Sequence, residues 1–286
     1  LLEVGLGGRL DATNVVDPAL TVISPVSVDH QQYLGETLAE IAGEKAGIIK
    51  RLVPCVVGKQ EDPALEVIED RAAKLGAPLL AYGQQWHVAP EAGRMVYQDE
   101  RGLLDLPRPN LPGDHQIMNA GAALAALRQL GVDAEACEAA VTQAQWPARM
   151  QRLSDGPLAD MAPEGELWLD GGHNPAAGAA LAATLAALPK RPTHLICGML
   201  NTKDIAGYLR PLAAEAASLT AVSIPGEAAT LPAETTAKVA RDVGFETAEA
   251  ETVTEALKAI IAREPHARVL ICGSLYLAGS VLRENV

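Results

Sequence analysis

The sequence lacks several features that mark particular classes of protein. Its 286 residues contain no run of about 18 apolar residues that could span a bilayer, and no signal-peptide pattern opens the chain. Basic side chains are few, since 23 Lys and Arg stand against 36 Asp and Glu, and the formal net charge is −13. Because so acidic a chain repels nucleic acid and anionic membranes, we expect a soluble, cytoplasmic protein that binds neither.

Cysteine pairs and phosphate-binding motifs are equally scarce. The four cysteines lie too far apart for a CxxC pair or a zinc ribbon, which is typical of a protein from a reducing compartment. The P-loop pattern GxxxxGK[ST] does not occur. The chain also opens without Met, inside an apolar run that is typical of the end of a buried strand. We therefore expect a fragment whose beginning is missing.

The residues that are present, 49% of them hydrophobic and 21% charged, are those of a globular protein. Short apolar runs alternate with amphipathic stretches, a pattern typical of βα units around a parallel sheet. After residue 165 this pattern predicts a small doubly wound domain. Its strands are expected at Leu167–Asp170, Thr193–Gly198, Leu219–Ser223 and Arg268–Gly273, and its helices at Ala176–Leu188, Ile205–Ala216, Ala233–Val243 and Val253–Arg263.

The first half of the chain follows the pattern less regularly. Residues 86–106 alternate short apolar and polar runs with turn residues, which favours an antiparallel meander. A helical pattern ends at Trp146-Pro147, which predicts a domain boundary within Gln145–Leu153 and ligands in the cleft between two domains. Strands are expected at Leu1–Val4, Leu20–Ser24 and Pro54–Val57, and helices at Thr37–Lys50, Pro63–Leu75, Gln116–Leu130 and Ala134–Gln143.

Ligand-capable side chains follow the first two predicted strands. Glu3 precedes the glycine turn Gly5–Gly8, and Asp29-His30 comes after the next strand. Open α/β sheets bind ligands at the carboxyl ends of their strands, so Glu3 and His30 are candidate metal ligands. The glycine turn does not fit the dinucleotide-binding pattern GxGxxG, because Leu10 stands where the third glycine belongs.

A second candidate site follows the strand at Leu167–Asp170. Asp170 runs through two glycines into His173, and Asn174 suits a helix N-cap with Pro175 in the first turn. Free amides at such a helix start attract phosphate or carboxylate groups. The last predicted strand repeats the arrangement, with Ser274 at the start of the following helix.

Six segments of the chain, in this order, resemble the folylpolyglutamate synthase/dihydrofolate synthase family of the Mur ligase superfamily. They span nearly the whole chain, and the first and third favour the folate branch over the peptidoglycan branch. The segments are Glu3–Asn14, Asp29-His30 with Leu34-Gly35 and Thr37, Glu44–Ile48, Leu111–Gln116 with Asn119-Ala120, Trp146–Met150 and Asp170–Pro175.

The resemblance implies an α/β architecture in which residues 1–149 are the remainder of a truncated P-loop ATPase domain. Residues 150–286 then form a smaller, Rossmann-like glutamate-ligase domain. It also implies the reaction: ATP phosphorylates a substrate carboxylate, and the amino group of L-glutamate attacks the acyl phosphate to form an amide. The carboxylate belongs to dihydropteroate or to a (poly)glutamyl tetrahydrofolate, and a monomer is the simplest expectation.

The resemblance also assigns roles to particular residues. Lys45 matches a carbamylated catalytic lysine that is also a magnesium ligand, and His173 matches a residue near the incoming glutamate. The other matches are Glu3 and His30 as magnesium ligands, Asn119, Arg149 and Asp170 as ATP contacts, Leu10, Asp11 and Ala12 as the pterin-side wall, and Ser274 as a glutamate neighbour.

Carbamylation makes a physical demand on Lys45. Magnesium prefers oxygen ligands, and a carbamate replaces the ammonium of a lysine by carboxylate-like oxygens. Carbon dioxide reacts with the free amine, which an ordinary lysine with a pKa near 10.4 presents only about one time in a thousand at neutral pH. We therefore expect Lys45 to be buried, where the pKa of its amine would fall.

Departures from the family pattern leave alternatives open. Without GxxxxGK[ST] the principal triphosphate cradle is missing, so we expect this chain alone to be inactive in ATP turnover. The alternatives are another Mur-type amino-acid ligase and a non-catalytic nucleotide-binding module. A nicotinamide-dependent reductase fits worst, because Asp11 comes too soon to be the ribose-binding acid.

Overall fold

The computed structural model describes residues 1–285 and divides the chain into two compact units. The first unit comprises Leu1–Asn110 and Asp114–Ala144, and the second comprises Leu111–Gly113 and the chain from Gln145 onward. The predicted α/β class is confirmed. In the part of the chain that the structure describes, no helix is long and apolar enough to cross a membrane.

The first unit contains a parallel three-stranded sheet and a separate antiparallel meander. The parallel sheet has the order β1-β2-β3, and the meander has the order β4-β5-β6. The strands are β1 Thr21–Ile23, β2 Cys55–Val57, β3 Leu79–Ala81, β4 Trp86–Glu91, β5 Arg94–Asp99 and β6 Gly102–Leu106; the α-helices are α1 Gln31–Leu34, α2 Leu38–Ala46, α3 Asp62–Leu75, α4 His115–Gln129 and α5 Ala134–Thr142.

Local sequence signals explain where the helices of the first unit begin and end. Thr37 and Glu40 form a reciprocal capping box at the start of α2, and α3 ends at Gly76 in the left-handed conformation. The buried faces of α2 and α3 pack on the parallel sheet, while α4 and α5 cover the meander around Trp86. The carboxyl ends of β1 and β2 are thereby left for functional loops.

The second unit is a six-stranded sheet with the order β11-β10-β9-β12-β8-β7, in which all pairs are parallel except β7 with β8. Hydrophobic cores lie on both faces, as the predicted doubly wound domain requires. Its strands are β7 Gln151–Arg152, β8 Glu166–Leu169, β9 Thr193–Cys197, β10 Ser218–Ala221, β11 Glu246–Glu249 and β12 Arg268–Cys272; its α-helices are α6 Pro157–Asp160, α7 Pro175–Ala187, α8 Ile205–Leu209, α9 Ala233–Asp242, α10 Val253–Arg263 and α11 Leu275–Glu284.

The predicted strand at Leu1–Val4 is wrong, because these residues form no strand with the described part of the chain. A strand exists only where a neighbour supplies hydrogen-bond partners, and β1 pairs with β2 alone. Three strands escaped prediction, and one of them, β7, has only two residues. β3 has only three residues, and β11 is a polar edge strand without the apolar run that the prediction relied on.

Tyr208 of α8 carries a fully buried hydroxyl that makes no hydrogen bond of acceptable geometry with the described residues. An unsatisfied buried hydroxyl is destabilising, so Tyr208→Phe is expected to raise the free energy of unfolding by up to about 1 kcal/mol. Chemical denaturation measures the change. Tyr97→Phe is the control, because the Tyr97 hydroxyl donates to Asp99 Oδ2 at 3.2 Å and its removal should be destabilising. A loss of stability in Tyr208→Phe would contradict the prediction.

Candidate functional site

The loop after β1 presents Asp29 and His30. Gln60 fixes the start of this loop, because its side-chain oxygen accepts the Val26 N–H at 2.9 Å and its amide donates to the Ser24 carbonyl at 3.0 Å. His30 has a left-handed backbone with φ of 53°. Asp29 Oδ1 accepts the His30 N–H at 2.7 Å, and its other oxygen lies 3.9 Å from His30 Nε2. The two side chains therefore form one polar group at the carboxyl end of β1.

Lys45 lies in the last turn of α2 and is half-buried. Burial lowers the pKa of its ammonium from the ordinary value, while the negative charge of Asp29 acts in the opposite direction. The shielding is less complete than the sequence predicted, but its direction favours the free amine that reacts with carbon dioxide. The sequence analysis did not predict that Asp29 acts on this lysine.

Glu3 stands apart from this group. Its side chain is exposed, and among residues 1–285 no three His, Cys, Asp or Glu side chains are arranged to hold a metal ion. Glu3 therefore does not complete a three-ligand set with Asp29 and His30. The donors that do suit a divalent cation are the imidazole of His30, the carboxylate of Asp29 and the oxygens that a carbamate would add to Lys45.

The segment Gly8–Asn14 packs directly on the last turn of α2 and the residues after it. A Cβ on Gly8 would lie 2.8 Å from Ile48 Cγ2, and one on Gly47 would lie 2.5 Å from Arg9 Cα. The Arg9 N–H donates to the Glu44 carbonyl at 2.8 Å, and the Arg9 guanidinium pairs with the Glu44 carboxylate. Two segments that the sequence reasoning treated as separate motifs are thus one packed structure.

Asn14 and Lys50 complete this contact. The Asn14 amide donates to the Arg9 carbonyl at 3.0 Å and to the Gly47 carbonyl at 3.2 Å. Lys50 Nζ donates to the Asn14 carbonyl at 2.7 Å. We call the contacts among Arg9, Asn14, Glu44, Gly47 and Lys50 the loop–helix clasp. It fixes the loop that carries Leu10 and Ala12 to the helix turn that carries Lys45.

Asp11 organises the loop itself. Its Oδ2 accepts the N–H groups of Gly5 and Leu6, both at 3.0 Å, and its Oδ1 accepts the N–H and hydroxyl of Thr13 at 2.9 and 2.7 Å. Four donors occupy both carboxylate oxygens. The neighbouring Leu10 and Ala12 side chains are exposed, so they are the members of this predicted trio that are free to contact a ligand.

These hydrogen bonds, that of the Thr13 hydroxyl first, lower the pKa of Asp11 from 3.8 to about 2. Because the pKa of Asp11 is lower in the folded state, the stability that Asp11 contributes is present above pH 3.8 and is lost as the pH falls towards 2. The difference in free energy of unfolding between the wild type and Asp11→Asn is expected to stay constant above pH 3.8 and to become smaller below that pH. Denaturation at several pH values measures it, and a difference that is unchanged down to pH 3 would contradict the assignment.

Asn119 is exposed one turn into α4, and its amide donates to Gln116 Oε1 at 3.0 Å. The amide nitrogen of Gln116 in turn lies 3.1 Å from His115 Nε2. Gln116 is buried and orients Asn119, so the first turn of α4 presents a side-chain amide to solvent. Such an amide can both donate to and accept from a heterocyclic base.

The second unit brings Arg149 and Asp170 together, although 21 positions separate them. The Met150 N–H donates to Asp170 Oδ2 at 2.8 Å, and the Gly171 N–H donates to the Ala148 carbonyl at 2.9 Å. Asp170 is only 6% exposed and also accepts the Gly172 N–H at 2.6 Å. The residues on both sides of Arg149 have left-handed backbones, with φ of 54° at Ala148 and 41° at Met150. Strain of this kind persists only where the surroundings impose it and is typical of functional sites.

His173 and Ser274 lie at two helix starts of this unit. His173 Nδ1 is 3.0 Å from the Gly171 carbonyl, and Asn174 caps α7 by accepting the Ala177 N–H at 2.9 Å, as predicted. Ser274 is 3% exposed, and its hydroxyl oxygen accepts the Tyr276 N–H at the start of α11. The cap uses one of the two acceptor lone pairs of the Ser274 hydroxyl.

A cavity of about 340 Å³ in the first unit contains none of the predicted site residues. It lies beside the meander and the end of α4, and the side chains of Gln84, Gln98 and Gln129 contribute to its lining.

Two family descriptions match the chain. The Mur ligase middle domain matches residues 2–127, and the dihydrofolate synthetase C-terminal domain matches residues 159–284. The folylpolyglutamate synthase of Lacticaseibacillus casei is 33% identical over 98% of this chain and 65% of its own length. The probable dihydrofolate synthetase of Schizosaccharomyces pombe is 32% identical over 99% of this chain and 70% of its own length.

Solved structures agree with this result. The E. coli FolC structure with DHPP and ADP superposes with a TM-score of 0.86 and 33% identity over 98% of this chain and 64% of its own. The Yersinia pestis folylpolyglutamate synthase/dihydrofolate synthase with AMPPNP and a Mn ion gives a TM-score of 0.82 at 31% identity, over 98% of this chain and 64% of its own. The chain thus spans slightly less than two thirds of the L. casei relative and of both solved chains.

Proposed function

Because the chain belongs to the folylpolyglutamate synthase/dihydrofolate synthase family of Mur ligases, we propose that it serves ATP-dependent ligation of L-glutamate to a folate-type carboxylate. The acceptor is dihydropteroate, a (poly)glutamyl tetrahydrofolate, or both. One observation carries the proposal. The Met150 N–H donates to Asp170 Oδ2 and the Gly171 N–H donates to the Ala148 carbonyl, so the segments that carry Arg149 and Asp170 meet at the end of β8, where the backbone on both sides of Arg149 is strained.

The proposed reaction has two steps. A substrate carboxylate oxygen attacks the γ-phosphorus of ATP, the bond to ADP breaks, and an acyl phosphate forms. The amino group of L-glutamate then attacks the acyl carbon, loses a proton, and displaces inorganic phosphate. Both steps bring anions together, so cations and oriented N–H groups must offset the repulsion.

Residues of the chain divide this work. Arg149 and Asp170 hold the nucleotide, and Asn119 contacts its base. His30 and a carbamylated Lys45, with Asp29 beside them, would hold Mg²⁺, and the ion would supply charge neutralisation for phosphoryl transfer. Glu3 would be a further ligand of the ion. His173 and Ser274 face the incoming glutamate, and Leu10, Asp11 and Ala12 form the pterin-side wall, with Asp11 also holding their loop.

The proposal also includes the domain division, the cellular location and the oligomeric state of the protein. Residues 1–149 belong to the central ATPase domain and residues 150–286 to the glutamate-ligase domain. The two family matches and the division of the chain after Ala144 support this assignment. Four buried, unpaired cysteines support a reducing, cytoplasmic location. We also propose that the protein is a monomer and that its partners are small molecules.

Nucleotide binding tests the site. Arg149→Ala is expected to weaken ADP binding about tenfold or more, since a hydrogen bond to a charged group contributes about 1.5–3 kcal/mol. Calorimetric titration measures the affinity, and Arg241→Ala, an exposed arginine of the same unit that bonds Thr247, is the matched control. Equal ADP affinity in Arg149→Ala and the wild type would overturn the assignment.

Turnover is a separate expectation. No GxxxxGK[ST] segment occurs in the 286 residues, so the chain by itself is expected to form no ADP in a glutamate-dependent manner. A coupled ADP assay with dihydropteroate, ATP and L-glutamate measures the rate. A rate above that of a sample without glutamate would contradict this expectation while leaving the nucleotide site intact.

A further inference from the structure

We propose that Asn14 is a positioning residue that couples the substrate-side loop to the helix turn of Lys45. The inference rests on the proposed function, since it takes Leu10 and Ala12 as the wall that meets the pterin substrate. One side-chain nitrogen of Asn14 donates to the loop, through the Arg9 carbonyl, and to the helix end, through the Gly47 carbonyl. Among the described hydrogen bonds of the loop–helix clasp, no other side chain bonds both segments with one group.

The chemistry of the amide explains why asparagine stands here. A primary amide provides two N–H donors from one nitrogen, whereas aspartate at neutral pH provides none. The Gly47 carbonyl follows the end of α2, where carbonyls have no partner within the helix. The backbone carbonyl of Asn14 accepts from the ammonium of Lys50 at 2.7 Å, which is a charge-assisted bond. Asn14 is thus held from three sides while it spans the contact.

The side-chain ion pair of the clasp is weaker than the Asn14 contacts. The Arg9–Glu44 ion pair is exposed, with the arginine side chain 57% accessible, and exposed pairs contribute about 0–1 kcal/mol. The hydrogen bonds from Asn14 to the Gly47 carbonyl and from Lys50 to the Asn14 carbonyl are partly buried, so they are less exposed to competition from water. We therefore place the coupling in Asn14 and not in the ion pair.

Close backbone packing makes the clasp move as one piece. Arg9 touches Gly47 where a Cβ would not fit, and Gly8 lies against the carbonyls of Glu44 and Lys45. A ligand that fixes the exposed Leu10 and Ala12 therefore also fixes the turn that carries Lys45. Coupling of this kind is reciprocal, so a change that orders Lys45 also favours binding at the loop.

Trace acylation of lysines in the intact 286-residue chain tests the coupling, with Lys45 read by peptide mass spectrometry against the exposed Lys59 as internal reference. In Asn14→Asp and Asn14→Ala, Lys45 labelling is expected to rise about fivefold, the lower end of usual coupling factors. Asn110→Ala is the matched control, because Asn110 also donates its side-chain amide to a distant carbonyl of the first unit, that of Ala144. Unchanged Lys45 labelling in both Asn14 variants would overturn the proposal.

Added dihydropteroate separates positioning from a structural role. In the wild type it is expected to slow Lys45 labelling, and in the Asn14 variants this protection is expected to be lost. A purely structural Asn14 would lower the thermal midpoint and leave the protection intact, which would also overturn the proposal. If dihydropteroate protects Lys45 in no variant, wild type included, the proposed pterin site fails, while the first labelling comparison still decides whether Asn14 holds the Lys45 turn.

Discussion

Arg268→Met is expected to lower the free energy of unfolding of the second unit by about 3–5 kcal/mol, the usual result of removing one partner of a buried ion pair. The Arg268 side chain is 2% exposed, and its Nε donates to Glu166 Oε2 at 2.8 Å. Its Nη2 also donates to the Pro189 carbonyl at 3.0 Å. Methionine fills much of the space but leaves a carboxylate and a carbonyl without these donors.

The pH dependence of this loss follows from Glu166. Burial is the largest single influence on the Glu166 carboxyl and acts to raise its pKa, but the hydrogen bonds from Arg268 and Trp168 and the charges of Arg268 and Arg191 together outweigh burial, and the pKa is lowered from the ordinary value. The stability from a depressed pKa is present above that ordinary value and is lost as the pH falls through the folded-state pKa. The gap between the wild type and Arg268→Met is therefore expected to narrow in acid.

Hydrogen exchange of peptides from β8 and β12 localises the effect to the second unit, and chemical denaturation gives its size. Arg94→Ala is the control, because its pair with Asp105 is exposed and such pairs contribute at most about 1 kcal/mol. Equal losses in Arg268→Met and Arg94→Ala would show that burial does not set the strength of the pair.

Gly47→Ala is expected to destabilise the first unit by about 3 kcal/mol, at the upper end of the usual cost of overpacking. The backbone of Gly47 is helical, with φ of −59°, so alanine fits its conformation without strain. The cost is purely steric. A Cβ there would lie 2.4 Å from Arg9 Cβ and 2.5 Å from Arg9 Cα, and a backbone atom cannot rotate away as a side-chain tip can.

Gly43→Ala, four positions earlier and inside α2, is the matched control, and its expected effect on stability has the opposite sign. The nearest atom to a Cβ on Gly43 is Val67 Cγ1 at 3.9 Å, an ordinary van der Waals contact. Alanine is more stable than glycine in a helix interior by about 0.5–1 kcal/mol, so Gly43→Ala should be stabilising. Denaturation of both variants measures the pair of changes. A Gly47→Ala chain as stable as Gly43→Ala would refute the close packing of the clasp.

Several parts of the candidate site follow from short stretches of sequence. Asn174 and Pro175 predict a capped helix after Asp170, and the structure confirms it, because a cap involves residues only three positions apart. Asp11 shows the limit of local reasoning. Its bond to Thr13 is local, but its bonds to Gly5 and Leu6 show that a residue predicted to touch substrate also holds a loop.

The roles of Asn14, Lys50 and Asp29 could not be predicted in this way. Asn14 belongs to a segment that carries the family resemblance, yet its partner Gly47 is 33 positions away and reveals itself only through packing. The left-handed backbones around Arg149 had no sequence signal either, because neither alanine nor methionine is typical of that conformation. The prediction of a strand at Leu1–Val4 was wrong because an apolar run indicates a strand but does not indicate which segment pairs with it.

By itself the sequence determined the α/β class, the spacing of most strands and helices, and the family, because periodicity, caps and ordered motifs are properties of neighbouring residues. Only the tertiary structure decided that Gly47 exists to admit Arg9, that Asp29 opposes the effect of burial on Lys45, and that Arg149 and Asp170 share one strand end. Such decisions depend on the close approach of distant segments and on the exclusion of water between them, and neither is encoded at any single position of the chain.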